Sequence, residues 1–421
     1  MATRLYGIVW RWHFLAGVVA CPILFVVAMT GALWAFQPEL DRWANPELLV
    51  VEPGPELVPV DDLLATAKQH CTPVGMTLPG FVDAPARVYC AEGERREIYL
   101  DPYRGTVLGE RDATSSFFSV VFSLHYELML GRPGRLAIDW ATTWTMLLLA
   151  SGAVLWWPRG KRRGGGVWWP RRGVRGRQLL RDLHAVGGMY FLPVMFAITA
   201  SGLMWTVWTG NSRWHPLTED AVHETWDHPP SSTVIPGAPR LGTDAALAAA
   251  GIDRATERRA IFFWDKRAQP DSSYAFFLFD PAYASASKTE LVWIDAYSGD
   301  EIERLTNADR SAIGKIDGVL YGIHIGSILG LPGRILACLA ALLLAALCVT
   351  GPWMWWKRRP RGKVGVPPAK RTSWGLLAAL VGIGVLLPMV LVTLAGVILL
   401  EGIAWLWRSR ATAAPPPGSP G

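Results

Sequence analysis

Five long apolar stretches punctuate the chain: Phe14–Phe36, Leu136–Trp157, Val186–Trp208, Ile335–Trp356 and Trp374–Trp407. Each exceeds the ~18 residues that mark a transmembrane helix and, at about 1.5 Å per residue, crosses a hydrocarbon core of roughly 30 Å. Trp34, Trp156, Trp157, Trp208, Trp355 and Trp356 fall at their ends, where amphipathic rings sit at headgroup level. The first stretch is too long for a signal-peptide core, and no small-residue cleavage site follows before Gln37, so it is expected to be retained. Between the stretches the period changes. Val60–Gln69 and Thr243–Ala250 are amphipathic or Ala-rich and predict short helices. Arg87–Tyr89, Glu97–Leu100, Ala260–Trp264, Tyr274–Phe279 and Leu291–Ile294 alternate, or are β-branched and aromatic, and predict strands. Asp101–Gly105 and Asp295–Gly299 predict turns in which Asp caps the backbone and Gly supplies a positive φ. The expected fold class is a polytopic α-helical membrane protein with five transmembrane helices and two α+β domains outside the bilayer.

Composition agrees and charge adds an orientation. With 51% hydrophobic and 18% charged residues in 421, the chain is neither disordered nor a plain soluble enzyme. The net charge of +6 is placed for topology rather than for nucleic acid. Arg159–Arg181 carries nine Lys/Arg and no acid, and Lys357–Arg371 seven and none. Gln37–Arg135 has nine basic against fifteen acidic residues, and Thr209–Arg334 twelve against seventeen. The positive-inside rule therefore puts the N-terminus and the loops 158–185 and 357–373 in the cytoplasm, and the domains 37–135 and 209–334 on the other side. An odd span count sends the Pro-rich tail 408–421, expected to be disordered, to that other side too. The lipid bilayer is the partner this charge pattern implies; no nucleic acid is expected. Cys21, Cys338 and Cys348 lie in apolar stretches and read as packing residues. Cys71 and Cys90 share the first outer domain, where an oxidising compartment favours a disulfide.

The chain repeats itself. His13, Pro22 and Thr30-Gly31 match His184, Pro193 and Ser201-Gly202 at one constant offset. At a second offset His125, Pro133-Gly134-Arg135, Ser151-Gly152 and Trp156-Trp157 match His324, Pro332-Gly333-Arg334, Thr350-Gly351 and Trp355-Trp356. The turn Tyr99–Gly105 matches Trp293–Gly299. The unit is span, outer domain, span, used twice in the same orientation, which implies a pseudo-two-fold axis along the membrane normal.

Four of the eight histidines belong to this repeat. His70, His215, His223 and His228 read as solvated loop residues; His223 and His228 share no helical face and make a poor metal pair. His13 and His184 stand at one membrane face, His125 and His324 at the other. A single such ring would read as a headgroup anchor. Two symmetric pairs read as axial ligands of haem iron, since neutral imidazoles can face each other across a flat cofactor. The pairing expected is His13 with His184 and His125 with His324, for two b-type haems. Gly17, Gly187 and Gly188, three or four residues after a histidine, are expected to leave room for the macrocycle. Arg11 and Arg181 precede the first pair and Arg135 and Arg334 follow the second; guanidinium suits propionate, with topogenic charge as the plainer alternative.

The segment Trp10-Arg-Trp-His13, the Leu-His and Gly-x-Pro-Gly-Arg blocks and the Asp-Pro-Tyr-x-Gly turn resemble the PepSY-associated transmembrane helix family over about Trp10–Lys357. In the second unit Asp295-Ala-Tyr and Ile323-His324 replace the Asp-Pro-Tyr and Leu-His forms. The resemblance implies a bacterial inner-membrane protein with two periplasmic PepSY-like domains. It further implies transmembrane electron transfer, similar to that of haem-containing ferric-siderophore reductases. The expected acceptor is a ferric siderophore or another periplasmic oxidant. Gly164-Gly165-Gly166 lacks the strand and helix of a nucleotide-binding fingerprint, so the donor is expected to be a separate cytoplasmic protein or a quinol. Two other classes compete: a PepSY-based binding or regulatory module without redox activity, and a transporter with a central site, against which Asp139 lies at the edge of its stretch and Glu401 is the only other candidate coupling acid.

Overall fold

The computed structural model describes residues 2–91, 96–158, 164–264, 269–280, 289–360 and 374–412. Residues 413–421 of the expected disordered tail, and 159–163 and 361–373 of the basic loops, lie outside the described residues. Helix α1 (Ala2–Trp34) leads through α2 (Gln37–Ala44) and α3 (Pro46–Leu49) to α4 (Val60–Lys68). Strands β1 (Pro73–Leu78), β2 (Ala86–Cys90), β3 (Arg96–Leu100) and β4 (Val107–Asp112) follow, then α5 (Phe117–Glu127) and α6 (Arg132–Trp156). The second unit runs α7 (Gly176–Tyr190), α8 (Leu192–Gly202), a π-helical stretch Val207–Trp214, α9 (His215–Thr218), α10 (Ala221–Asp227) and α11 (Thr243–Ala249). Its strands are β5 (Ala260–Trp264), β6 (Tyr274–Phe279), β7 (Glu290–Ile294) and β8 (Glu301–Thr306), followed by α12 (Ala312–His324) and α13 (Gly330–Arg358). Helices α14 (Trp374–Leu386) and α15 (Pro388–Thr412) close the described chain.

Among the described residues, three helices are long and apolar enough to cross a membrane by themselves: Leu5–Trp34, Arg132–Trp156 and Ser327–Arg358. A fourth span forms if α7 and the segment Leu192–Trp205 are taken together, but they are bent by 65°. The third apolar stretch is thus broken. Pro193, in the first turn of α8, has no N–H to continue the ladder and its ring crowds the carbonyl of Met189. Pro22, by contrast, stays inside a continuous α1. The fifth stretch is divided as well, at Leu387, ahead of Pro388, into α14 and α15.

The two outer domains share one sheet. Its eight strands run β4-β3-β2-β1-β5-β6-β7-β8, two antiparallel meanders joined where β1 pairs antiparallel with β5, Met76 opposite Phe263. The two expected α+β domains are therefore joined into one sheet, with a local two-fold between β1 and β5. Both meanders carry a register irregularity at the same place, Tyr99/Leu100 and Trp293/Ile294. Both follow it with the same turn: Asp101 accepts from the N–H of Tyr103 (2.8 Å) and Arg104 (3.1 Å), Asp295 from Tyr297 (2.8 Å) and Ser298 (3.0 Å). Gly105 (φ 69°) and Gly299 (φ 78°) supply the left-handed step. One core lies under α4 and α11, with Leu63, Met76, Ile98, Phe263, Phe276 and Ile294 buried. Each such side chain contributes roughly 1.5–3 kcal/mol.

The helices α4 and α11 cap each other. Asp61 accepts from the N–H of Thr243 (2.9 Å) and Asp244 (3.2 Å), while Asp244 accepts from Val60 and Asp61 (both 2.9 Å). Each carboxylate thus satisfies the orphan donors of the other unit's helix. Cys71, just after α4, is disulfide-bonded to Cys90 of β2, Cα–Cα 5.7 Å. Cys348 is buried between α1 and α13 with Cys21 against it, and Cys338 is half-buried.

Candidate functional site

All four repeat histidines turn into the helical part, each hung by Nδ1 from a neighbouring helix. Two ride on short helices with Ser N-caps, Ser116 for α5 and Ser311 for α12, which place His125 and His324 in the last turn. His125 Nδ1 lies 3.0 Å from the Val27 carbonyl and 3.2 Å from Thr30 Oγ1. His324 Nδ1 lies 3.1 Å from the Ile198 carbonyl. At the opposite end, His13 Nδ1 is 2.8 Å from Ser151 Oγ and His184 Nδ1 is 3.0 Å from Thr350 Oγ1. Their tautomer follows from these partners. A carbonyl only accepts, and the Ser151 and Thr350 hydroxyls already donate to the carbonyls of Leu148 (3.1 Å) and Ala346 (2.9 Å). Nδ1 therefore carries the proton in each ring, and Nε2 keeps its lone pair, the form in which imidazole binds a metal.

The duplicated Ser/Thr-Gly pairs explain themselves here. Gly31 and Gly202 let the rings of His125 and His324 lie against the backbone; a Cβ would stand 3.0 and 2.8 Å from their Cε1 atoms. Gly152 and Gly351 face His13 and His184 at 3.5 and 3.6 Å. Gly17, Gly187 and Gly188, expected to make space for a ligand, instead face Leu148, Leu343 and Leu347 on packed helices. They serve close helix approach.

The His125 and His324 rings meet, with centroids 6.2 Å apart and planes at 52°. They face a largely apolar cavity, part of it open to the outside. Its walls are helical stripes with one residue per turn: Leu24, Ala28 and Gly31 of α1, Ala337, Ala340 and Leu344 of α13, with Ile138 of α6 and Met195 of α8. Trp34 packs on Phe122 (5.1 Å) and Trp205 on Tyr321 (5.7 Å), two equivalent aromatic pairs, and Trp205 also lies 5.4 Å from His324. Sequence reasoning read Trp34 as a headgroup-level ring and gave Phe122, Trp205 and Tyr321 no role, although the four obey the same two offsets as the histidines.

The four arginines part company. Arg135 lines the cavity, stacked over Tyr126 at 4.6 Å, and its buried Nε has no hydrogen-bond partner among the described residues. Arg334 is fully engaged: Nε donates to the Ala35 carbonyl (2.7 Å) and both terminal nitrogens to Glu39 (2.6 and 2.5 Å). Arg334 also holds the Glu39 carboxyl below its usual range. Arg181 donates to Gly166 (3.1 Å) and to the buried Asp182 (2.8 Å), which also binds Arg171, so it straps the loop onto α7. Arg11 is half-buried on α1, two residues before His13. Asp139 Oδ2 accepts from the Trp208 N–H (2.8 Å) at the start of the π-helical stretch, while its buried Oδ1 has no hydrogen-bond partner among the described residues. The side chain of Glu401 lies outside the described residues. No cluster of three or more metal-ligating side chains occurs among the described residues.

A bundle of apolar helices crowned by one shared sheet, with the His125 and His324 rings meeting at the sheet end, defines a duplicated membrane protein. The chain belongs to the PepSY-associated TM region family, which it matches over residues 10–358. No curated protein matches it.

Proposed function

We propose that this protein carries electrons across the bacterial inner membrane through two b-type haems and reduces Fe(III) in a periplasmic ferric siderophore. The observation that carries the reading is the His125–His324 pair. Two imidazoles bonded to one metal at about 2 Å each bring their ring centres to roughly 6 Å, and the observed separation is 6.2 Å. The proton on Nδ1 leaves Nε2 as the ligating atom, and the backbone and hydroxyl partners fix each ring's orientation. The apolar cavity beside them suits a macrocycle. His13 and His184, hung in the same way, are assigned the second haem. A haem so held supplies one-electron transfer. The chain's own part is to hold the rings, exclude water with the Ala and Leu stripes, and set one site near each membrane face.

In this reading each meander with its helix is a PepSY-like domain on the periplasmic side, and the N-terminus and basic loops are cytoplasmic. The siderophore rests on the family resemblance; the geometry supports the haems. Iron release follows because hard oxygen ligands hold Fe(II) less tightly than Fe(III). The donor is a separate cytoplasmic protein or a quinol. A reduced-minus-oxidised spectrum with haem quantified per chain tests the first part: two b-type haems are expected, and His13→Ala or His184→Ala should deplete one, His125→Ala or His324→Ala the other. Reoxidation by a ferric siderophore, with Fe(II) trapped by a ferrous chelator, tests the second. A colourless protein would point instead to a binding or regulatory module.

A further inference from the structure

We infer that Arg135, and not its repeat partner Arg334, receives the acidic edge of the ligand in the cavity, so that the site takes a planar apolar acid in a single orientation. The inference rests on the haem reading of that cavity and adds the element that breaks its two-fold symmetry. The two arginines occupy equivalent places, each after a Pro-Gly step at the start of α6 or α13. Their surroundings differ. Arg334 is neutralised by Glu39 and tied to the Ala35 carbonyl, and its guanidinium also covers the Phe36 ring at 5.0 Å. The residue equivalent to Glu39 under the repeat is Gly210, so Arg135 meets no acid from that position. Arg135 instead lies on the cavity wall, its guanidinium 4.6 Å from the centre of the Tyr126 ring and its Nε buried without a partner among the described residues. Under the repeat Tyr126 is equivalent to Ile325, so the ring beneath Arg334 comes from Phe36 instead.

A cation held over an aromatic ring, with an unused donor beside an apolar cavity, is a receptor for a carboxylate. The clasp with Glu39 neutralises Arg334, the competing cation. A ligand with two-fold apolar symmetry but acids on one edge would therefore bind one way round, with that edge at Arg135.

The test uses full-length protein in detergent, made under haem limitation, titrated with metal-free protoporphyrin IX and with its dimethyl ester. Quenching of tryptophan fluorescence reports binding, since Trp34 and Trp205 line the cavity. Arg135→Gln should weaken the diacid by about tenfold, the scale of a lost charge-assisted hydrogen bond, and leave the diester unchanged. Arg135→Lys should keep most of the preference for the diacid, and Arg334→Gln should move diacid and diester alike. Equal loss of both porphyrins in Arg135→Gln, or loss of diacid preference in Arg334→Gln instead, overturns the inference and leaves the haem reading standing. Failure of the unaltered protein to bind either porphyrin removes the haem reading, and the inference with it.

Discussion

Gly202 lies so close to His324 that a methyl group would have to push the ring aside, whereas Gly152 and Gly351 have ordinary contact distances to spare. Gly202→Ala, and less severely Gly31→Ala, should therefore displace a ring of the His125–His324 pair and lower one haem population in the pigment assay. Gly152→Ala and Gly351→Ala should leave the other population near normal; equal loss in all four variants would mean that the glycines act through helix packing alone. These glycines show what a sequence can and cannot disclose. The histidines were legible because the chain uses them twice at fixed offsets. The glycines assigned to them were the wrong ones, since spacing along one helix finds neighbours on that helix, while the glycine against each ring comes from another. The Arg135–Arg334 difference was hidden for the same reason: it depends on Glu39, distant in sequence from both. In the sheet, burial pushes the Asp295 carboxyl up, but the N–H donors of Ser298, Thr233 and Tyr297 outweigh it and hold it below the usual range. An acid whose folded value is depressed adds stability that is full above its unfolded value of ~3.9 and is lost as pH falls through the folded value. Asp295→Asn should thus lower the sheet's melting temperature at neutral pH, and the gap from the unaltered protein should close on acidification. A gap that does not depend on pH would assign Asp295 a packing role only.

Elements differed in how plainly they could be read. β2, β3, β5, β6 and β7 were visible because they are rich in aromatic and β-branched residues with buried faces. β4 and β8 were not, since both are polar edge strands, Val-Leu-Gly-Glu-Arg-Asp and Glu-Ile-Glu-Arg-Leu-Thr, held by one neighbour each. Such charged edges resist further pairing, which is why they carry little hydrophobic period. β1 was hidden by its Pro73 and Gly75, both unfavourable in a strand interior. The helices α4 and α11 were legible, but their mutual capping was not, because neither has a side-chain cap at its own N-cap position. Asp61→Ala should destabilise α11, and Asp244→Ala α4, each by about 1 kcal/mol as for other lost caps. Thermal melts read by circular dichroism, with hydrogen exchange to locate the loss, check both the size and the crossed assignment. Protection lost in the mutated residue's own helix, rather than in the partner helix, would count against reciprocal capping.

Across the whole molecule the repeat predicted two units, and two units are present, but not their fusion. Pairing β1 with β5 and packing α1 along α13 interlock the units, and nothing in either unit alone specifies the other as partner. The same scale decides where the chain ends. An uninterrupted fifth span would carry the C-terminus to the sheet side, as an odd count requires. The chain instead turns back near Leu387. A Cβ on Gly384 would lie 3.4 Å from the Leu391 nitrogen, although residues seven apart in a straight helix are roughly 10 Å apart. The turn itself is on the sheet side: the Arg213 guanidinium, in the π-helical stretch that follows α8, binds the Val385 carbonyl. Beyond the turn, Thr393 of α15 accepts from the indoles of Trp140 (3.0 Å) and Trp144 (2.9 Å) in α6, a helix that starts on the sheet side and leads away from it. α15 therefore sets off from the sheet side alongside α6, and its length takes Thr412 back toward the side where α6 ends at Trp156. Reporter fusions after Arg163 and after Thr412 should give the same compartment. Opposite compartments would mean that α14 and α15 straighten into one span in the bilayer, with the Thr393 contacts to Trp140 and Trp144 broken.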